Sequence, residues 1–373
     1  MASSRTVVLA GVVALALHAS PLQAQTYLRP DDGEELTQVA TRGANFLTIG
    51  IGARGQALGG AHTALAEGIS ALYWNPAGMA FDEGMQAGVT YSPLYADLDI
   101  THTFAGFIMP LRSSRVGISL NTLNSGRMIA TTENYPDGGD PSLGGSESEF
   151  SWVSTAVGLH YAMPVTNRLA VGLSGKYISE GISGARATFL AADLSVVFDV
   201  GIMGSTIAAA YTNIGTEGQV RGHRVRQGID QRSTANAVIP TGRVIQSDLE
   251  TRRVQLPAGF HFGVASELVG GPAASLAMSE DHRLLLALEG VKPDDAAFTP
   301  HVGLEYGFRD RVFLRAGKQW VSDSEVDEGS GYLAAIGGGL KLPFGSRVAR
   351  LDYAYTSFGR LNNVQVFSFE VAF

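Results

Sequence analysis

The 373-residue chain contains no cysteine, an absence that excludes disulfides, zinc-thiolate sites and thiol catalysis. Charge is sparse, at 17% of residues with a formal net charge of −8, and no Lys/Arg cluster is interleaved with aromatics. Nucleic acid is thereby excluded as a partner. Long apolar runs are confined to residues 7–17, which follow Arg5 and precede the small-residue site Leu22-Gln23-Ala24. That arrangement reads as a secretory signal peptide over residues 1–24, cut after Ala24. Its apolar stretch falls short of the roughly 20 residues that cross a bilayer as a helix. Nothing comparable follows, so a membrane-embedded form of this chain has to be a closed barrel, the one strand arrangement that satisfies its backbone polar groups in lipid.

Glycine, by contrast, is abundant, with 46 residues. From about residue 84 to residue 373, large apolar residues alternate with Gly, Ala, Ser or charge, the two-residue period of a strand. Leu169, Val171, Leu173 and Tyr177 alternate with Ala170, Gly172, Ser174 and Lys176, and Phe367, Phe369, Val371 and Phe373 alternate with Ser368, Glu370 and Ala372. Charges recur on the small-residue face of successive strands, which turns the greasy face outward to lipid.

Three tight turns share a form: Met109-Pro110-Leu111-Arg112-Ser113-Ser114-Arg115, Met163-Pro164-Val165-Thr166-Asn167-Arg168 and Leu342-Pro343-Phe344-Gly345-Ser346-Arg347. Between them lie long polar excursions over residues 125–149 and 215–253. Short turns at one end and long loops at the other are the pattern of outer-membrane barrels, with the short turns periplasmic. The expectation is an all-β transmembrane fold, an antiparallel barrel of about fourteen strands over residues 84–373, in the outer membrane of a diderm bacterium. Its last strand, with Phe369, Val371 and Phe373 on one face, closes the wall against residues 86–91 and resembles the signal read by the barrel assembly machinery. Outer-membrane lipid and that machinery are the first expected partners.

Residues 25–42 read as an N-terminal periplasmic segment, and residues 43–83 do not alternate. Gly50, Gly52 and Gly55 spell G-x-G-x-x-G, but no βα unit follows and Gly59-Gly60 interrupts any helix that would hold a pyrophosphate. No cofactor is expected. The physical reading is a compact plug, its glycines allowing close backbone approach inside a crowded lumen. Pro76 pushes Asn75 toward extended backbone, and the Asn75 side chain suits a turn.

The run Gly52-Ala53-Arg54, then Leu58-Gly59-Gly60-Ala61, then Ser70-Ala71-Leu72-Tyr73-Trp74-Asn75-Pro76-Ala77-Gly78 resembles the N-terminal signature of PorV/PorQ outer-membrane proteins. These are similar to FadL-type barrels. The resemblance implies fourteen strands and a segment folded into the lumen, in which Arg54, Gly59, Gly60, Trp74, Asn75, Pro76, Ala77 and Gly78 form the plug motif. It further implies a type IX secretion-associated component that docks or transfers secreted cargo, with secretion subunits as partners. The alternative it carries is a FadL-like channel for long-chain fatty acids or other hydrophobic solutes.

Chemistry is otherwise thin. His102, His160, His261 and His301 fall in expected strands without a G-x-S-x-G elbow or an H-E-x-x-H spacing, so neither an enzyme nor a metal site is expected. Charges on the lumen faces are more informative: Lys176, Asp193, Glu267, Glu289, Glu305, Lys341, Arg350, Asp352 and Glu370. Isolated charges in a poorly hydrated interior are costly, so these should pair with one another, with water or with Arg54, in a network that locks plug to wall.

Overall fold

The structure is a computed structural model. It describes residues 41–94, 98–139, 149–230, 244–320, 332–357 and 363–373, with the backbone alone for 226–230, 244–248 and 332–333. The expected signal peptide, and the segment that follows it as far as residue 40, lie outside the described residues. No helix among the described residues is long and apolar enough to cross a membrane.

The wall consists of fourteen strands: β1 Gln86–Leu94, β2 Ile100–Leu111, β3 Ser114–Asn124, β4 Val153–Pro164, β5 Leu169–Ile182, β6 Ala185–Asp199, β7 Ser205–Gly215, β8 Gly259–Gly270, β9 His282–Pro293, β10 Thr299–Phe308, β11 Val312–Trp320, β12 Tyr332–Phe344, β13 Arg347–Ser357 and β14 Asn363–Ala372. Each pairs antiparallel with its sequence neighbours, and β1 pairs with β14, so the sheet closes. Arg112-Ser113 and Gly345-Ser346 make two-residue turns, with φ of 57° at Arg112 and 64° at Gly345. The opposite end carries the long loops, from which two small hairpins rise, Met128–Ile129 with Glu149–Phe150 and Arg226–Asp230 with Val244–Asp248.

Alternation decides which face meets what. Along β5, Val171, Leu173 and Tyr177 are exposed while Ala170, Ser174 and Ile178 are buried. Leu159 and Leu314, on β4 and β11, leave 64% and 61% of their surface outside. A soluble sandwich hides such residues; a continuous belt of them around a closed sheet is a lipid-facing surface, and the protein is an outer-membrane barrel. The inner face is built of small side chains, among them Ala156, Ala162, Ala170, Ala187, Ala208, Ala210 and Ala354. That leaves room for a plug.

Residues 43–83 fill it. A 3₁₀ turn at Asn45–Thr48 leads to helix α1 (Ala53–Ala57), helix α2 (Gly68–Trp74) and a second 3₁₀ turn at Pro76–Phe81. Ile69, Leu72, Trp74, Ala77 and Met79 bury themselves against Phe104, Ile108, Ala162, Ala170, Val197 and Ala208 of the wall. Elsewhere the fit of plug to wall depends on a wall glycine. A Cβ on Gly317 would lie 2.0 Å from the Leu58 carbonyl carbon and 2.1 Å from the Gly59 nitrogen, so plug backbone rests directly on wall backbone there.

The β1–β14 seam follows from one residue. Met85 and Phe373 exchange both backbone hydrogen bonds, each 2.8 Å. This fixes the parity: odd-numbered residues of β1 aim their N–H and C=O at β14. The next such positions carry the ladder up to Tyr91↔Phe367, and then comes Pro93, which has no N–H. Pairing on the β2 side continues to Leu94↔Ile100, but the seam stops at six pairs while the other wall ladders have eight or more. Above the break, Leu94, Val364 and Val366 bury their side chains in a cluster with Ala53, Ala57 and Ala354. Apolar packing holds the seam where hydrogen bonds do not. In Pro93→Val the restored amide should pair with Gln365 and resist hydrogen exchange. A freely exchanging amide at position 93 would mean that the strands part above Tyr91 for another reason.

Candidate functional site

Trp74, Asn75, Pro76 and Ala77 form the corner between α2 and the second 3₁₀ turn. Asn75 is extended at φ −163°, as a residue before proline prefers, and its Oδ1 accepts the Ala77 N–H at 3.1 Å. The Asn75 Nδ2 donates to the carbonyls of Thr63 at 3.0 Å and of Val196 in β6 at 3.3 Å. Trp74 Nε1 donates to Ile51 O at 2.9 Å, and Ser195 of the wall accepts the Ala77 N–H at 3.0 Å. Gly78 leaves no room for a side chain, since a Cβ would lie 2.0 Å from Ala66 O. The motif folds the plug on itself and pins it to β6.

A chain of alternating charge crosses from plug to wall. Arg54 on α1 grips Glu305 of β10 with two hydrogen bonds, 2.8 and 2.9 Å, and reaches Glu67 at 2.7 Å. Glu67 also accepts from Arg350 of β13 at 2.8 Å. Glu305, 2% exposed, takes Arg315 of β11 at 2.6 Å, and Arg315 reaches Asp352 at 2.5 Å. Three acids alternate with three guanidiniums, so each buried charge has its counterion. Burial alone would raise the Glu67 carboxyl, but Arg54 and Arg350 outweigh it and hold it at about 2. Nearly half of the Glu67 side chain still faces open lumen.

On the other side of the plug, Glu289 of β9 accepts the backbone N–H groups of His62 and Thr63, each at 2.8 Å, and the Thr63 hydroxyl at 2.7 Å. His261 of β8 lies 3.0 Å from the same carboxylate. His62 itself is buried edge-on to Trp74, and burial, with Arg54 nearby, lowers its pKa to about 3.

Of the nine lumen charges expected from sequence, Glu289, Glu305, Arg350 and Asp352 belong to these two anchors. Glu370 sits against Gly68 at the start of α2. Lys176 and Asp193 pair within the wall at 2.7 Å, and Lys176 also donates to Asn213 at 2.9 Å. Lys341 stands opposite Arg350 in the ladder and lines the same cavity as Arg54 and Glu67, but its ammonium binds Asp310 of the β10–β11 turn at 2.5 Å. One expectation needs correction: Glu267 faces Arg283 at 3.9 Å and accepts the Gly271 N–H at the short-turn rim. Alternation gives the face of a strand residue but not its height, and Glu267 lies too near the rim to meet the plug. Conversely, Glu67, Arg315, His62, Thr63 and His261 were not singled out in these roles. Arg315 carried a usable signal, a charge on the small-residue face of β11. A Ser–His contact does exist, since His160 lies between the hydroxyls of Ser119 and Ser174 at 2.8 and 2.7 Å. Both ring nitrogens are thereby engaged and no acid orients the ring as a base.

The plug separates two cavities. Toward the short turns, one of about 260 Å³ is ringed by Arg54, Glu67, Arg350, Asp352, Ser368 and Glu370. Toward the long loops, one of about 410 Å³ lies between Ile49, Tyr73 and Trp74 of the plug and Pro257, Val291 and Pro293 of the wall. The first is ionic and the second mainly apolar.

The fold has counterparts among solved structures. The CymD monoaromatic hydrocarbon channel aligns with TM-score 0.54 at 12% identity, over 87% of this chain and 98% of its own. The Pseudomonas putida toluene transporter TodX aligns with TM-score 0.51 at 13% identity, over 86% and 97%. The Ralstonia pickettii toluene transporter TbuX aligns with TM-score 0.50 at 12% identity, over 87% and 98%. At these identities the likeness is one of fold. No protein-family model and no curated protein matches the chain.

Two measurements test the anchors. Glu305→Gln leaves Arg54 and Arg315 facing each other without their carboxylate, and breaking a buried pair in this way costs about 3–5 kcal/mol. The urea midpoint should fall accordingly and the plug should become protease-sensitive; an unchanged midpoint would show that the chain of charges is not holding the plug. Asp82, which accepts the Gly68 N–H at 3.0 Å, is pushed from 3.8 up to about 7 by burial, reinforced by Glu67 and Glu370. Between those values the folded chain keeps a proton that the unfolded chain has released, so stability falls as pH rises through that window. Asp82→Asn should flatten the decline of the thermal midpoint between pH 4 and 7.

Proposed function

We propose that the protein is an outer-membrane channel through which small hydrophobic solutes enter, with residues 43–83 as its gate. The observation that carries this reading is the apolar cavity of about 410 Å³, enclosed between plug and wall at the long-loop end. Its lining of aliphatic, aromatic and proline side chains suits an apolar body, and its position puts it first in the path of a solute arriving from outside. The fold shared with CymD, TodX and TbuX supports the same reading, since those proteins are a hydrocarbon channel and two toluene transporters.

The secretion reading rests on the motif over residues 52–78. Its residues are engaged in folding and seating the plug, which gives the resemblance structural content and leaves secretion without an observation of its own. Outward passage of a folded cargo through a lumen filled by the plug has no support in the geometry.

Uptake of labelled toluene by porin-deficient cells expressing the full chain should exceed that of empty-vector cells. Ala258→Trp, which fills the larger cavity, should reduce it several-fold while leaving barrel assembly intact. Equal uptake with and without the protein would remove the proposal.

A further inference from the structure

The lipid-facing belt has a dent on one side of the barrel. Ile336, Leu340, Leu342 and Phe344 of β12 are exposed on its outer face, and Gly338 stands where the two-residue period calls for another apolar side chain. The ladder sets Gly338 between Leu314 of β11 and Tyr353 of β13, both exposed. A Cβ on Gly338 would meet nothing nearer than the Phe313 carbonyl oxygen at 3.4 Å, whereas on the inward Gly337 and Gly339 it would collide with Ala57 and Asp352. Packing within the protein therefore does not account for Gly338. Its effect is an apolar groove of about 580 Å³ on the outer surface, walled by Leu314, Leu340, Leu351, Tyr353 and Phe367.

At their periplasmic end the same strands carry cations. Arg347 stands opposite Phe344 in the ladder, and opposed residues of an antiparallel pair share a face, so Arg347 lies on the outer face at the rim beyond the groove. It is exposed, and its guanidinium has no partner among the described residues. Arg309 of the β10–β11 turn lies over the ring of lipid-facing Phe308 at 5.1 Å and pairs with Asp281 at 2.8 Å, both side chains more than half exposed. A pair so exposed holds its partners weakly. Asp310 of the same turn is taken by Lys341. The next two turns round the rim, over residues 271–281 and 200–204, hold no Lys or Arg, so the groove opens on a cationic part of the rim.

Groove and cations are spaced like the two parts of a phospholipid. Phe344 and Gly338 are six residues apart in β12, which at about 3.3 Å per residue and a tilt of about 45° is about 14 Å along the membrane normal, close to half of an apolar band about 25 Å tall. A phosphate held at the rim by guanidinium hydrogen bonds therefore brings its acyl chain into the groove. A two-fold related copy of the barrel docked on the same groove would set Arg347 against Arg347, and like charges oppose that contact. We infer that this face binds one anionic phospholipid of the periplasmic leaflet, with its phosphate at Arg347 and Arg309 and one acyl chain over Gly338. The site lies outside the lumen and does not rest on the channel reading.

The test is native mass spectrometry of the full chain, refolded in detergent and titrated with phosphatidylglycerol or with phosphatidylcholine of the same acyl chains. One phosphatidylglycerol should bind per barrel, several-fold more tightly than phosphatidylcholine. Arg347→Gln should weaken phosphatidylglycerol about fivefold, the equivalent of about 1 kcal/mol for one cation at a membrane surface. Gly338→Leu, which fills the groove, should weaken both lipids several-fold. Arg168→Gln, in the β4–β5 turn away from the groove, should change neither. Heat-modifiable migration on gels establishes that each variant is folded. Equal affinity for the two lipids, equal losses from Arg168→Gln and Arg347→Gln, or binding that survives Gly338→Leu unchanged would overturn the inference. So would a dimer of barrels that Gly338→Leu dissociates, since the groove would then belong to a second copy.

Discussion

Everything in this molecule follows from the need to satisfy backbone N–H and C=O groups inside lipid. A sheet does so only by closing, and closing fourteen strands leaves a lumen too wide for wall side chains alone to fill. The chain resolves this by spending its first described residues on a plug and its inward-facing wall positions on Ala, Gly and Ser. Small residues on the wall and glycines in the plug are one solution seen from two sides. Where Gly317 meets Leu58 and Gly59, the two backbones touch without intervening side chains.

A plug so close to the wall buries charge. The polar groups of α1 and of the turn after it cannot reach bulk water, and the wall supplies them with counterparts at fixed heights. Glu305, itself held by Arg315, meets Arg54, while Glu289 receives the His62 and Thr63 amides. These contacts hold the plug by geometry as much as by energy. A buried pair adds little to stability relative to an apolar substitute, but it is expensive to break from one side, and so it fixes where the plug can rest.

The architecture was legible in the sequence because period and turn length are local properties. Val171, Leu173 and Tyr177 face lipid as their alternation required, and Phe367 and Phe369 lie on the outer face of the strand that closes on β1. What local pattern does not contain is which residue stands opposite which across the lumen. Arg315 and Glu67 complete the charge chain because β11, β13 and the plug converge at one height, a consequence of strand register and tilt. Glu267 carries the same facial signature and ends at the rim. Pro93 is an intermediate case: its missing donor is visible in the sequence, but its effect on the seam depends on a parity set by the Met85–Phe373 pair.

The two cavities differ in a way that bears on direction. An apolar solute resting among Ile49, Trp74 and Pro257 has given up its water shell, and the space beyond the plug offers Arg54, Glu67, Arg350 and Glu370 instead of more apolar surface. Moving into that space would require parting ion pairs that are already satisfied. On the proposed channel reading, the ionic cavity would be a barrier to the solute and the apolar cavity a place where it waits. The plug is anchored by alternating charges at the ionic cavity and by Glu289, Val196 and Ser195 of the wall elsewhere, so its position is over-determined by several independent contacts.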